Sequence, residues 1–357
     1  MQDLKNLPLY LTFDDVLILP QFSDVGSKDG NIKTRVSKNV EIEIPIVSSP
    51  MDTVTEEAMA VAIAEEGGIG VIHRNMTAQN EAKQVKNVKA KNLQVIGSVG
   101  PFDLERSKML EEAGADAILI EVAHGSKKDI LESANKIKKE IKCDLICGSI
   151  ATKEGAEIYA EIADGYRVGI GPGSICTMRI ITGVGVPQLN AVSEVMSVAK
   201  KYGIPVIADG GIRSSGDIAK AIAVGADTVM LGNLLAGFDE SPGELVEIDG
   251  KKYKSYRGMG SRDAMEKGPV SDRYEQEKIK KKISMGVSGM VAYKGSVKNQ
   301  LYQLVGGLKA SMGLVGAWNI KEMQEKAKLI RITNAGTSEG HPHTLVAFKL
   351  EDNYAGR

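Results

Sequence analysis

Tyr166-Arg-Val-Gly-Ile-Gly-Pro-Gly-Ser-Ile-Cys-Thr-Met-Arg179 joins two kinds of sequence. A short apolar run, Tyr166 to Ile170, passes directly into a loop built on Gly169, Gly171, Pro172 and Gly173, and Cys176 stands at its end. Glycine opens backbone angles closed to other residues and lets a ligand approach the main chain. Pro172 stiffens the turn. One loop could therefore cradle a polar ligand and present a thiol. A lone cysteine is most often a small buried hydrophobe, but such a residue does not need three glycines and a proline just ahead of it.

Outward from this stretch, seven more short apolar runs recur. They are Ile44 to Ser48, Gly68 to His73, Gln94 to Val99, Ala117 to Glu121, Asp144 to Cys147, Pro205 to Asp209 and Thr228 to Gly232. Most are too apolar to keep one face in water, as parallel strands covered by helices should be. Amphipathic stretches of helical length lie between them, among them Thr55 to Glu66, Leu104 to Ala113, Lys127 to Ile141 and Ser215 to Ala223. Eight such units at fairly even spacing predict an α/β chain folded as a TIM (β/α)8 barrel, with an open doubly wound sheet as the competing arrangement. The interval after the sixth run is the longest and holds the Cys176 loop.

A barrel of this kind places its chemistry at the C-terminal ends of its strands. Those ends carry Ser48-Ser-Pro-Met51, His73, Glu121, Ser149, the Cys176 loop, Asp209-Gly-Gly211 and Gly232-Asn233. The last two fall where barrels often hold phosphate, through exposed backbone N–H groups. Each glycine alone could be an ordinary tight turn; their coincidence at both positions favours a phosphate. Asp209 could accept hydrogen bonds from a pair of sugar hydroxyls, or merely cap its own turn.

About a third of the chain follows the eighth run. Glu244 to Tyr256, turning at Asp249-Gly250, predicts a hairpin. Tyr256-Arg-Gly-Met-Gly-Ser261 is a second glycine-rich loop. Met265 to Gly295 is polar and poorly periodic, as a disordered segment or a functional lid would be. Asn299 to Met312 predicts a helix. Gly340-His-Pro-His343 brings two histidines together, without the further Cys or carboxylate spacing of a zinc site.

Composition bounds the partners. A formal net charge of -1 over 357 residues gives no general attraction to nucleic acid, and the run Lys280 to Lys282 reads as a solvated face. Three cysteines, Cys143, Cys147 and Cys176, form no disulfide framework. No basic and apolar leader opens the chain and no run reaches the ~20 apolar residues of a membrane span, so the cytoplasm is expected. The residues by themselves point to covalent chemistry on a phosphorylated small molecule. A barrel that only binds a phosphorylated effector is the competing class, and it has no need of the thiol.

The chain resembles the IMP dehydrogenase and GMP reductase family. The motifs that carry the resemblance are Leu11-Thr-Phe-Asp-Asp-Val16, Ser48-Ser-Pro-Met-Asp-Thr-Val-Thr-Glu56, Gly169 to Cys176, Thr182-Gly-Val-Gly-Val-Pro-Gln188, Ile207-Ala-Asp-Gly-Gly-Ile212 and Tyr256 to Ser261. Ser271-Asp-Arg-Tyr274 and the Gly340 to His343 tail are similar to the dehydrogenase branch. The resemblance implies one catalytic barrel over 1–357, a mobile flap at about 257–295, and none of the family's regulatory CBS modules, which Met76 to Gln94 leaves no room for.

It also implies the site. Cys176 would attack C2 of the purine, with Arg273 as base towards water and Tyr274 in support. Ser49, Met51, Gly173, Ser174, Asp209, Gly211, Gly232, Asn233, Tyr256, Gly258, Met259, Gly260 and Met285 would hold the nucleotide. Glu121, Ala123, Ser149, Gly169 and Gly171 would meet NAD. Potassium would rest on the carbonyls of Gly171, Gly173 and Cys176, with the partner subunit's Glu339 and Gly340 reaching in. The assembly implied is a homotetramer, or tetramers paired as octamers. In the dehydrogenase a hydride leaves C2 and water releases the product; in the reductase the same thiol displaces ammonia and NADPH supplies the hydride.

Four positions depart from the family's pattern. Met178 stands two residues after the cysteine, where threonine is usual, and Met285 where the flap carries Glu or Gln towards N1 of the base. Glu121 replaces an Asp, and Asn233 a Ser.

Overall fold

The computed structural model describes residues 4–276 and 280–344. Near its start, β1 (Val16–Ile18) pairs antiparallel with Leu329–Arg331 from the far end of the chain. A hairpin of β2 (Thr34–Ser37) and β3 (Val40–Ile42) follows. Then come eight parallel strands, β4 (Ile46–Ser48), β5 (Ile69–Ile72), β6 (Val95–Val99), β7 (Ala117–Ile120), β8 (Asp144–Ile150), β9 (Gly165–Val168), β10 (Val206–Asp209) and β11 (Thr228–Leu231). Each pairs with the next, and β11 pairs back onto β4 with Leu231 opposite Ser48, so the sheet is a closed barrel. Closure settles the choice between barrel and open sheet. All eight strands fall on the runs named above.

The apolarity of those runs has a direct cause. Side chains alternate across a strand, and here both sides are dry. Val47, Ile69, Val71, Ile96, Leu119, Ile146, Ile207 and Met230 fill the barrel interior, while Ile46, Ile72, Val95, Ile118 and Ile120 face the helices. The β2–β3 hairpin closes the bottom: Val36, Val40 and Ile42 join the interior cluster. Ser37 Oγ and the Asn39 N–H donate to Asp144, the first residue of β8, at 2.6 and 2.8 Å. The opposite, C-terminal mouth is left for the site.

The outer ring is formed by α1 (Glu57–Glu65), α2 (Ala78–Lys89), α3 (Leu104–Glu112), α4 (Lys128–Glu140) and α5 (Lys153–Glu157). Thr77, Asp103 and Thr152 cap three of their N-termini by accepting backbone N–H groups. The long interval after β9 holds α6 (Met178–Thr182) and α7 (Gln188–Tyr202); α8 (Ser215–Ala223) follows β10.

After β11 the chain leaves the ring. A single turn, α9 (Asn233–Ala236), leads to the hairpin β12 (Leu245–Ile248) and β13 (Lys251–Arg257), with Asp249 and Gly250 at φ 51° and 73° in its turn. Next come α10 (Arg262–Lys267), a 3-10 turn at Pro269–Tyr274, and β14 (Ser288–Ala292). Only then does α11 (Val297–Val315) return to pack between α8 and α1 and complete the ring. The flap is therefore an insertion within the eighth strand-to-helix connection, which lies over the barrel mouth. The segment expected to be without pattern contains a strand, because β14 pairs antiparallel with β13 and places Gly289 opposite Tyr256. Finally α12 (Ile320–Lys326), β15 (Leu329–Arg331) and α13 (Asn334–Glu339) bring the chain back against the Phe13–Asp15 turn.

Candidate active site

The Cys176 loop is held by side chains that bond its main-chain carbonyls. Gln188, at the start of α7, donates its amide to the carbonyls of Val168 and Asp209 at 2.8 and 3.1 Å, tying the ends of β9 and β10 together. Arg179 folds back to the carbonyls of Ile170, at 3.1 Å, and Val186. Gly169 sits at φ 151°, and a Cβ there would lie 2.2 Å from the Asp209 carbonyl oxygen. Glycine is thus required at the crossing point of the two strand ends.

Two adjoining cavities open at this mouth. The first, about 110 Å³, holds Cys176, Gly169, Gly171, Gly258, Met259, Gly260, Arg273, Tyr274 and Met285. The second, about 260 Å³, holds Ser174, Gly211, Gly232, Asn233 and Arg213. Ser49, Met51, Gly173, Asp209 and Tyr256 line both. The turns after β10 and β11, expected to bind phosphate, converge on one cavity, and the thiol stands in the other. Asp209 lines both, where the two cavities meet. Arg167 holds this carboxylate through Nε and Nη2 at 2.8 and 2.7 Å. Met230 and Ile212 also line the second cavity, and Pro172 and Gly210 line both.

Burial pushes the Cys176 thiol up from its ordinary value, opposed by the Met178 backbone N–H and the Arg179 guanidinium. Burial also raises the Tyr256 phenol, to about 12, so it remains a hydrogen-bond donor. In the flap, Arg273 stacks over the ring of Tyr274 at 5.7 Å. Desolvation lowers the Arg273 guanidinium from its usual range, Tyr274 opposes that shift and Arg74 adds to it.

The flap is docked on the thiol loop. Cys176 and Gly286 form an antiparallel bridge. The Met285 N–H donates to the Gly260 carbonyl at 2.9 Å, and its carbonyl accepts from the Thr177 N–H at 3.1 Å. These bonds fix Met285 in the wall of the Cys176 cavity. Met178, in contrast, is buried with the barrel-to-helix core and lines neither cavity. Of the two methionines that depart from the family's pattern, only Met285 faces the site.

Of the residues expected to meet NAD, Gly169 and Gly171 line the Cys176 cavity, whereas Glu121, Ala123 and Ser149 line neither cavity. Glu121, buried at the end of β7, forms ion pairs with Arg74, Arg167 and the flap's Arg273. The Ala123 N–H donates to the Arg273 carbonyl at 3.2 Å. Ser149 is buried near the end of β8, and its carbonyl accepts the Gly125 N–H at 2.8 Å. Glu339 and Gly340 end α13, which packs on the Phe13–Asp15 turn of its own chain. His73 pairs with Glu56 at 3.1 Å and lines neither cavity. Sequence reasoning passed over Arg74, Arg167, Gln188 and Asp272. Arg167 left a trace: a charged residue inside a run buried on both faces needs partners.

A glycine-framed thiol, a pair of glycine turns and a docked flap line the mouth of this (β/α)8 barrel, the face at which barrel enzymes carry their chemistry. The profile of the IMP dehydrogenase / GMP reductase domain matches residues 10–343. The chain is 42% identical to inosine-5'-monophosphate dehydrogenase of Cryptosporidium parvum, over 98% of this chain and 99% of that protein. Identity to the inosine-5'-monophosphate dehydrogenases of Borreliella burgdorferi and Thermoplasma acidophilum is 41% and 39%, over 94% and 96% of this chain and 97% and 96% of theirs. The chain belongs to the IMP dehydrogenase / GMP reductase family.

Proposed function

We propose that the protein oxidises IMP to XMP with NAD, in one catalytic unit without inserted modules. The observation that carries this reading is the meeting of Cys176 with Arg273 and Tyr274 in one cavity. The thiolate adds to C2 of the purine, and a hydride leaves C2 to give a thioimidate on Cys176. NAD, when bound, supplies the hydride acceptor. Water then attacks C2, Arg273 takes its proton, and the thiolate departs as XMP forms. Asp209 holds the sugar, and Ser174, Gly211, Gly232, Asn233 and Tyr256 the phosphate.

Glu121, Ala123 and Ser149 suit the nicotinamide ribose. The flap's Arg273 already brings a cationic donor to the Glu121 carboxylate and a carbonyl to the Ala123 N–H, so this surface accepts both kinds of polar group that a ribose and a carboxamide carry. Potassium, a hard cation, suits the carbonyls of Gly171, Gly173 and Cys176. Ile180, Ile181 and Val184 are exposed beside that loop, which fits a face covered by a second subunit in a tetramer. Among the described residues no helix is long and apolar enough to cross a membrane; the cytoplasm suits this chemistry.

Met285 favours a second reading, a family member with altered base preference or a reductase. Purified protein with IMP and NAD, followed by NADH absorbance, decides between them. Turnover supports the dehydrogenase. A signal only from GMP with NADPH, or from another purine nucleotide, replaces it. Nucleotide binding without turnover of any purine leaves an effector-binding barrel.

A further inference from the structure

Arg74 follows β5 at the barrel mouth and is almost fully buried, its side chain 3% exposed. Its Nε donates to Glu121 Oε2 at 3.2 Å, and Nη2 to the Glu121 carbonyl at 3.1 Å. The remaining edge of the guanidinium faces the flap, where Nη2 and Nη1 meet the two oxygens of Asp272 at 2.6 and 3.0 Å. This is the forked geometry that makes arginine–carboxylate pairs strong. Arg74 is itself anchored: its carbonyl accepts from Arg106 Nη1 at 2.9 Å, and Arg106 pairs with the buried Glu81 at 3.1 Å. The pair is also closely packed. A Cβ on Gly100 would lie 2.8 Å from Asp272 Oδ2 and 3.1 Å from Arg74 Nη1.

One fixed guanidinium therefore holds two carboxylates, one belonging to the barrel and one to the flap. The barrel's carboxylate, Glu121, is the group assigned above to the dinucleotide, and the next flap residue, Arg273, covers it. We propose that Arg74 is a positioning residue. It latches the flap over Glu121 through Asp272, and the strength of that latch sets how the flap and the dinucleotide share the same surface. The part concerning the dinucleotide rests on the function proposed above; the latch itself does not.

Asp272→Asn keeps the size of the side chain and removes its charge; Asp272→Glu restores the charge. Amide hydrogen exchange of the purified, ligand-free proteins tests the latch without any turnover. Expected for Asp272→Asn is exchange over Pro269–Tyr274 about tenfold faster than in the parent, as loss of a charge-assisted pair implies. β7 should be unchanged, and Asp272→Glu should recover part of the protection. Unchanged flap exchange overturns the latch, and so does acceleration of β7 and the flap together, which marks a general structural role. Kinetics with IMP and NAD form the second arm. A looser flap competes less, so the KM for NAD should fall several-fold in Asp272→Asn, and kcat should fall because Arg273, proposed above to take the proton of water, is carried by the flap. If KM for NAD is unmoved while flap exchange rises, the latch stands and its control over the dinucleotide is refuted. If neither protein turns over IMP, the proposed function fails while the exchange result still judges the latch.

Discussion

The Cys176 loop and the flap face each other across one cavity, yet they are held by different forces. The loop is fixed by internal bonds to its main chain: the Gln188 and Arg179 side chains clamp carbonyls, and Gly169 lets β9 and β10 end in contact. The flap is docked by main-chain bonds of Met285 and Val287 to Thr177 and Ile175 beside the Gly286 bridge, and beyond them by ion pairs from Asp272 and Arg273 to Arg74 and Glu121. A ligand cannot supply what holds the loop. A polar ligand can supply what holds the flap, because a carboxylate and an N–H group are satisfied by any suitable partner. The difference sets a mount that no ligand replaces against a docking whose ion pairs a polar ligand could replace.

The sharpest way to break this comparison is to remove the thiol. Cys176→Ala should lower turnover at least ~10⁴-fold, since no other group in the cavity can form the adduct. Nucleotide binding, read by calorimetry, should survive, because the groups proposed to hold sugar and phosphate line the adjoining cavity. An active Cys176→Ala protein would remove the covalent mechanism altogether.

Next in size is Gly169→Ala. The added methyl meets the Asp209 carbonyl at 2.2 Å, and the φ of 151° disfavours any L-residue. Stability in urea should drop by about 2–4 kcal/mol, with activity lost as the thiol loop and Asp209 move apart. An equivalent methyl at Gly289 in β14 meets nothing within 4 Å, so Gly289→Ala should change stability little. Equal effects at the two sites would erase the distinction between fixed loop and docked flap.

How much of this was readable beforehand also divides along the same line. All eight barrel strands, the 245–257 hairpin and the loop at Cys176 were legible, because each is written in local apolar runs and turn residues. The partnership of β14 with β13 was not, since Ser288-Gly-Met-Val-Ala292 is short and its partner lies more than thirty residues back. The same holds for β1 with β15, whose pairing joins the two ends of the chain. In the site, glycines and the cysteine announced themselves by composition. The Arg74–Glu121–Asp272 cluster did not, because three charged residues on three separate segments have no spacing in common.

A smaller effect separates the three thiols. Burial pushes Cys143 to about 12 and lifts Cys147 further. Cys176 is also raised, but Arg179 and the Met178 N–H counter part of the shift. A raised thiol holds its proton longer, so the thiolate fraction grows only as pH climbs through and past the ordinary value of 9.0. Alkylation of ligand-free protein by iodoacetamide should therefore modify Cys176 first, and its rate should keep increasing with pH without a plateau near neutrality. Arg179→Gln should slow it several-fold at a given pH. A rate already flat at pH 7 would mean a preformed thiolate, and the loop would then be more than a rigid mount.

The gentlest probe lies where loop and flap touch. The Met285 backbone is bonded on both sides, to Gly260 and Thr177, so a change of side chain there leaves the docking intact and alters only the wall of the Cys176 cavity, where the proposed function places the base. A thioether is a weak acceptor, and a purine N1–H placed against it loses a hydrogen bond worth ~1–3 kcal/mol. Met285→Gln supplies the missing acceptor at similar length. With IMP as substrate, kcat/KM should rise about tenfold, measured by NADH absorbance, while flap exchange stays at the parent level. If kcat/KM for IMP falls instead and a purine nucleotide without a proton on N1 loses still more, the methionine is matched to a different base. The docked flap then carries the choice of substrate, while the fixed loop carries only the reaction.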